Sequence, residues 1–138
     1  RIRDPGNLGS ILRSASWFGI ENIALSDDSV DVYNPKTIRS GMGAHFGLKL
    51  YEDVKLEKFK KTHILIGATK KGIDIGKYDF PNKFVLVFGN EAHGISINNH
   101  KKIKNFVTIN KFGKGESLNL SSAATIFMYE ITKHKISK

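Results

Sequence analysis

Cysteine is absent from the 138 residues. That excludes disulfides and cysteine-based metal sites, and it suits a reducing compartment such as the cytoplasm. No apolar run is long enough to cross a bilayer, and no signal-peptide pattern opens the chain. Neither repeats nor a low-complexity linker interrupt it. The histidines His45, His63, His93, His100 and His134 lack metal-ligand spacing. No metal is expected, and they read as surface or turn residues. No G-x-G-x-x-G follows a strand-like run, so the dinucleotide fingerprint is missing. Acidic residues are the minority, 13 against 22 lysines and arginines, for a net charge of +9. That excess suits a polyanion, most simply nucleic acid. All but four of the basic residues (Arg1, Arg3, Arg13 and Arg39) are lysine, scattered among isoleucines and asparagines. Lysine-rich composition therefore accounts for the charge equally well.

What is present fits one globular domain over residues 1–138, with 40% hydrophobic residues to build a core. The first residue is Arg1 and helix begins almost at once. The expectation is a fragment, or a core domain whose N-terminal partner was removed. Helix is predicted over 7–18, 34–41, 53–61 (capped by Asp53), 97–104 and 119–134. Strands are predicted at 22–25, 48–51, 63–69, 83–90 and 106–109. The run "KFVLVFGN" (83–90) holds five consecutive apolar residues, which implies burial on both faces. Alternating strands and helices imply an α/β fold, a mostly parallel sheet with helices on both faces. Ligands then bind beyond the carboxyl ends of the strands. This directs attention to residues 68–72, 89–95 and 110–119.

Four stretches stand out. "NLGSILRSASWFG" (7–19) opens with Asn7, a helix-capping residue type, and its Leu8, Ile11, Leu12, Ala15 and Phe18 form an apolar stripe. Arg13 flanks the stripe together with Gly9 and Trp17. Arg13 stacked on Trp17 in solvent is one reading. It leaves Gly9 unexplained, because glycine inside a helix costs about 1 kcal/mol relative to alanine. Close approach of another chain segment or of a ligand would compensate, and a small residue beside a fork-shaped cation suits a phosphate or sugar hydroxyl. "NPKTIRSGMGAHFGL" (34–48) sets Arg39 before three glycines, either as a flexible loop or as a loop meeting RNA or a neighbouring subunit. "FGNEAHG" (88–94) follows the strongest strand, with Glu91 between Gly89 and Gly94. It is a plain turn or a close backbone approach to a ligand. "GKGESLNLSSAATIFMYE" (113–130) runs from a glycine-rich loop into a helix that Ser117 or Asn119 can cap. Leu120, Ala123, Ala124, Phe127, Met128 and Ile131 share its apolar face.

Together these stretches resemble the SpoU/TrmH family of SPOUT RNA methyltransferases. The resemblance lies in three motifs in order: "DPGNLGSILRSASWFGI" (4–20), "LVFGNEAHGIS" (86–96) and "ESLNLSSAATIFMYE" (116–130), with "RSGMGA" (39–44) between the first two. It implies an α/β fold with a C-terminal trefoil knot, a homodimer, and S-adenosylmethionine as methyl donor to a ribose 2′-hydroxyl of rRNA or tRNA. By the same resemblance the cofactor segments hold Ala68 and Thr69; Gly89, Asn90, Glu91 and Gly94; and Ile109, Ser117, Leu118 and Asn119. The resemblance further implies that Arg13 is the catalytic residue, aided by Asn7, Glu91, Ser117 and Asn119, that Arg13 and Arg39 meet RNA, and that Gly9 clears room for it. Relatives often carry Ile-Pro-Met before the third motif, where this chain has Ile109-Asn110-Lys111.

Arginine holds its proton tightly, so Arg13 fits an orienting and charge-stabilising role better than that of a base. The expectation is that Arg13, Glu91 and Ser117–Asn119 converge on one pocket for a methyl donor, with a second subunit allowed to contribute. Two alternatives stand beside it. One is a non-catalytic RNA-binding module that keeps the fold. The other is a nucleotide-binding α/β enzyme acting on small molecules, which the missing fingerprint disfavours.

Overall fold

Asp4 starts the first helix. Its Oδ1 accepts the Asn7 backbone N–H at 2.7 Å, and Pro5 occupies the first turn. In this computed structural model, which describes residues 1–133, α1 spans Pro5–Trp17. The expected cap at Asn7 is thus corrected to Asp4. An Asp-Pro pair supplies both an acceptor and a preset φ, and it initiates the helix before Asn7 is reached. The elements that follow are β1 (Asn22–Ala24), α2 (Pro35–Gly41), a 3-10 turn (Ala44–Gly47), β2 (Lys49–Tyr51), a second 3-10 turn (Leu56–Phe59), β3 (Ile64–Asp74), β4 (Phe84–Val87), α3 (Ile97–His100), β5 (Asn105–Thr108) and α4 (Leu120–Lys133). The predicted end of the last helix at residue 134 lies outside the described residues, as does His134. The chain forms two compact units: Arg1–Lys55 with the segment from Asn119 onward, and Leu56–Leu118.

The first unit is built on α1. Leu8, Ile11, Leu12 and Ala15 are buried, as the stripe requires. Leu8 and Leu12 join Leu25, Val32 and Ala44 in a core that Ile2, Ile23, Val30, Leu48 and Leu50 cover. Each fully buried leucine contributes about 1.5–3 kcal/mol. β1 and β2 pair in parallel, Ile23 opposite Leu50. Asn34 caps α2 through the Lys36 N–H at 2.9 Å, with Pro35 in its first turn. α4 buries Ala124, Phe127 and Met128. Ser14 Oγ and Thr125 Oγ1 lie 2.7 Å apart, and Phe18 meets Tyr129 edge-on at 6.2 Å. Gly9 has a definite cause. A Cβ there would fall 1.8 Å from Ser40 Oγ and 2.6 Å from the Thr37 carbonyl oxygen. The glycine admits α2, so the reading in which it clears room for RNA is corrected to the close-segment alternative.

The second unit is a three-stranded parallel sheet in the order β4-β3-β5. Leu65, Ile66, Ile75, Ile103 and Val107 are buried. Two expectations fail here. Every residue of β4 is only half-buried, whereas β5, the other outer strand of this sheet, buries Val107 and Thr108. The predicted helix at 53–61 is reduced to a 3-10 turn, Leu56–Phe59, with no buried residue. Asp53 has φ +52, outside the extended region an N-cap needs, and so short a stretch does not repay helix nucleation without packing. Lys102 pairs with Glu57 of that turn, and its hydrogen bond holds the Glu57 carboxyl below the usual range.

Candidate cofactor and RNA site

Gly67 pairs with Val87 on one side and with Phe106 on the other. β4 ends at that level, while β5 runs on to Thr108 and β3 resumes its ladder to Asp74. Of the three segments expected to hold the cofactor, one interrupts β3 just past Gly67 and the other two follow β4 and β5.

The first segment is an excursion within β3. Both Ala68 and Ile73 pair with Val107, so residues 69–72 are looped out of the ladder. Thr69 Oγ1 donates to the Lys71 carbonyl at 2.6 Å. Gly72 closes the excursion, where a Cβ would lie 2.5 Å from the Phe106 carbonyl oxygen. Ala68 and Thr69 stand at its entry. Sequence reading ended the strand at residue 69 and missed Gly72. The glycine after two lysines was the available signal.

The second segment is a closed turn after β4. Asn90 and Gly94 exchange two backbone hydrogen bonds, each 2.9 Å. Asn90 Oδ1 accepts the N–H groups of Ala92 and His93 at 2.9 and 3.2 Å. Gly94 has φ +67. A Cβ on Gly89 would lie 2.0 Å from the Gly94 carbonyl carbon and 2.2 Å from the Ile95 nitrogen. The two legs of the turn touch backbone to backbone, which requires glycine at position 89. Glu91 is exposed at its tip. The third segment follows β5. Ile109 is half-buried, and residues 110–118, which include Ser117 and Leu118, are exposed.

Asn7, Arg13, Arg39 and Asn119 belong to the first unit. Asn119 Nδ2 donates to Asn7 Oδ1 at 3.0 Å, while Asn119 Oδ1 accepts the Ser121 and Ser122 N–H groups and the Ser121 hydroxyl. Asn119, rather than Ser117, thus caps α4. Arg13 is exposed, and its guanidinium has no hydrogen-bond, ion-pair or ring partner among the described residues, Trp17 included. Arg13, Ser16 and Trp17 line an open depression of about 390 Å³, with residues 41–44 opposite. Arg39 lies exposed in the last turn of α2.

The SpoU rRNA Methylase family matches residues 1–129. The chain belongs to that family. It is similar to the 23S rRNA (uridine(2479)-2′-O)-methyltransferase of Streptomyces viridochromogenes, 34% identical over 99% of this chain and 52% of that protein. It is also similar to the 23S rRNA (guanosine(2553)-2′-O)-methyltransferase RlmP of Bacillus subtilis, 30% identical over 94% of this chain and 54% of that protein. Among solved structures, the SpoU methyltransferase AviRb from Streptomyces viridochromogenes in complex with AdoMet matches with a TM-score of 0.91 and 31% identity, over 100% of this chain and 59% of that one. This SpoU chain spans about half the length of the curated relatives it matches.

Proposed function

We propose that this chain is the methyl-transferring part of an RNA 2′-O-methyltransferase that uses S-adenosylmethionine. One observation carries the reading. Segments 89–94 and 109–118 follow the carboxyl ends of β4 and β5, and the 69–72 excursion of β3 leaves the ladder one residue past the Gly67–Val87 pair, at the same end of one parallel sheet, the place where open α/β sheets bind ligands. Relatives named as 23S rRNA 2′-O-methyltransferases, and a similar structure holding AdoMet, support it.

The residues present fit such a cofactor. The Gly94–Ile95 backbone fills the space a side chain on Gly89 would take, which holds the turn after β4 closed and its exposed tip fixed. Ala68, Thr69, Gly89, Asn90, Gly94, Ile109 and Leu118 would form the walls. Glu91 supplies an anion suited to a cationic group, and Ser117 supplies a hydroxyl. When bound, S-adenosylmethionine supplies a methyl group activated by a positively charged sulfur. That methyl group would pass to the ribose 2′-oxygen as its bond to sulfur breaks, with the hydroxyl proton taken up by water.

In this reading Arg13 works on the RNA. Its donors are uncommitted, so they are free to grip the ribose or its phosphate and to stabilise the charge developing on the 2′-oxygen. Holding the hydroxyl in place supplies a further part of the acceleration. Asn7 and Asn119 act as a pair. Their shared hydrogen bond fixes the start of α4 against the first turn of α1. Arg39 adds a phosphate contact. Family membership supports two further parts of the proposal, a C-terminal trefoil knot and a homodimer. Exposed Ile126 and Tyr129 of α4 offer apolar surface for the latter. The absence of cysteine fits action in the cytoplasm. Calorimetry with S-adenosylmethionine tests the reading: saturable one-to-one binding is expected, and a chain that binds RNA without binding the cofactor would be a non-catalytic module instead.

A further inference from the structure

The indole of Trp17 is 84% exposed, although burying such a ring is among the largest single contributions to a core. It follows Arg13 by four residues, so the two share a face of α1, and both line the 390 Å³ depression. The far wall is backbone-rich. Gly41 and Gly43 carry no side chain, and Met42 and Gly43 turn the chain with φ +50 and +83. Beside it Phe46 is 97% exposed and Met42 70%. Single exposed apolar residues are ordinary. Here a bare indole accompanies a partnerless arginine in one depression, and the exposed Phe46 ring lies 4.0 Å from where a Cβ on Gly43 of its lining would sit.

The charges select the occupant. Arg13 is the only charged side chain in the lining, and the whole chain carries +9. A second copy docking face to face would bring Arg13 toward its twin with no carboxylate in the depression to offset it. An RNA strand has the complementary composition, with flat bases for the rings and phosphates for the guanidinium.

We propose that Trp17 is a stacking platform for an unpaired base next to the methylated nucleotide, with Arg13 on the adjoining ribose or phosphate. This rests on the function proposed above and adds a requirement for single-stranded RNA at that position.

Trp17 is the only tryptophan in the chain, so its fluorescence reports on this site alone. The 138-residue chain is titrated with a short single-stranded oligoadenylate, and emission is compared with the anisotropy of end-labelled RNA. Strong quenching that follows the anisotropy curve is expected, with little quenching by the same strand in a duplex. Trp17→Ala should weaken single-strand affinity about tenfold. Trp17→Phe should recover most of it, and Trp17→Leu should not. Since the residue is exposed, these variants should fold. RNA binding that saturates with unchanged emission, or an unchanged affinity in Trp17→Ala, overturns the proposal. So does emission that responds to protein concentration and not to RNA, because a second copy then covers the ring. If labelled methyl transfer to RNA persists in either case, only the stacking site falls. If cofactor binding and transfer are both absent, the wider reading falls with it.

Discussion

Asn119 donates a hydrogen bond to Asn7 across 112 residues of sequence, at 3.0 Å. The same Asn119 side chain turns its oxygen to the first turn of α4, while the Asn7 backbone closes the first turn of α1 on Asp4. Two helix starts are thus joined through one pair of amides. Asn119→Ala removes the cap and the tie together and should cost about 1–2 kcal/mol. Asn7→Ala removes only the tie and should cost about 0.5–1 kcal/mol. Urea unfolding of the two single variants and the double variant measures the coupling. Strict additivity would mean that the bond contributes nothing.

Gly9→Ala should destabilise by more than about 2 kcal/mol, despite alanine's better helix propensity. The added carbon meets Ser40 Oγ and also the backbone of Thr37, which has little freedom to move. Ser40→Ala in the same chain should recover only part of the loss. Thermal unfolding followed by circular dichroism reads both. A neutral Gly9→Ala would contradict the close α1–α2 crossing.

Gly89→Ala should abolish measurable binding of S-adenosylmethionine, because its Cβ would displace the Gly94–Ile95 leg of the turn. Gly47→Ala, outside the three segments, is the control. A Cβ there meets nothing nearer than Ser16 Oγ at 4.0 Å, so affinity should stay within about twofold. Calorimetry on both variants checks the contrast, and equal losses would show that the effect is not local to the turn.

Asn110→Pro should tighten cofactor binding about two- to fivefold by stiffening the exposed loop before binding. Asn110 follows β5, and no hydrogen bond from its backbone N–H is present among the described residues, so proline removes no bond. Weaker binding would mean that this loop must change conformation on binding in a way proline forbids.

Much of this was legible in the sequence, for reasons visible in particular residues. The Leu8, Ile11, Leu12, Ala15 stripe has helical spacing and a core to meet. Asn34-Pro35 carries a cap and a first-turn proline. Residues 89–95 and 110–119 follow strands that the apolar runs marked, while 68–72 interrupt β3 instead of ending it. What escaped depends on contacts far away in sequence. Gly9 answers to Ser40 and Thr37, and Gly72 answers to Phe106, so neither reason is local. The apolar run at 84–88 looked buried on both faces because composition does not say whether both faces of a strand are covered. Asp53 looked like a cap because a residue type does not reveal a positive φ. Asp4 was passed over for Asn7 although Pro5 stood beside it.

Arg13 separates charge from geometry. Arg13→Ala should lower transfer at least about a hundredfold while leaving S-adenosylmethionine affinity within about twofold. Arg13→Lys keeps the charge and loses the planar fork, and it should retain less than about a tenth of the activity. Steady-state transfer assays on RNA, paired with calorimetry, read the two quantities separately. High activity in Arg13→Lys would reduce the role to a point charge.

The most direct measurement is transfer of a radiolabelled methyl group from S-adenosylmethionine to total RNA by this chain, followed by alkaline hydrolysis and mapping of the label. The account predicts label in RNA, held in a linkage resistant to alkali because the 2′-oxygen carries the methyl group, and lost in Arg13→Ala. Label on a base, or no label from a chain that binds both the cofactor and RNA, would contradict it.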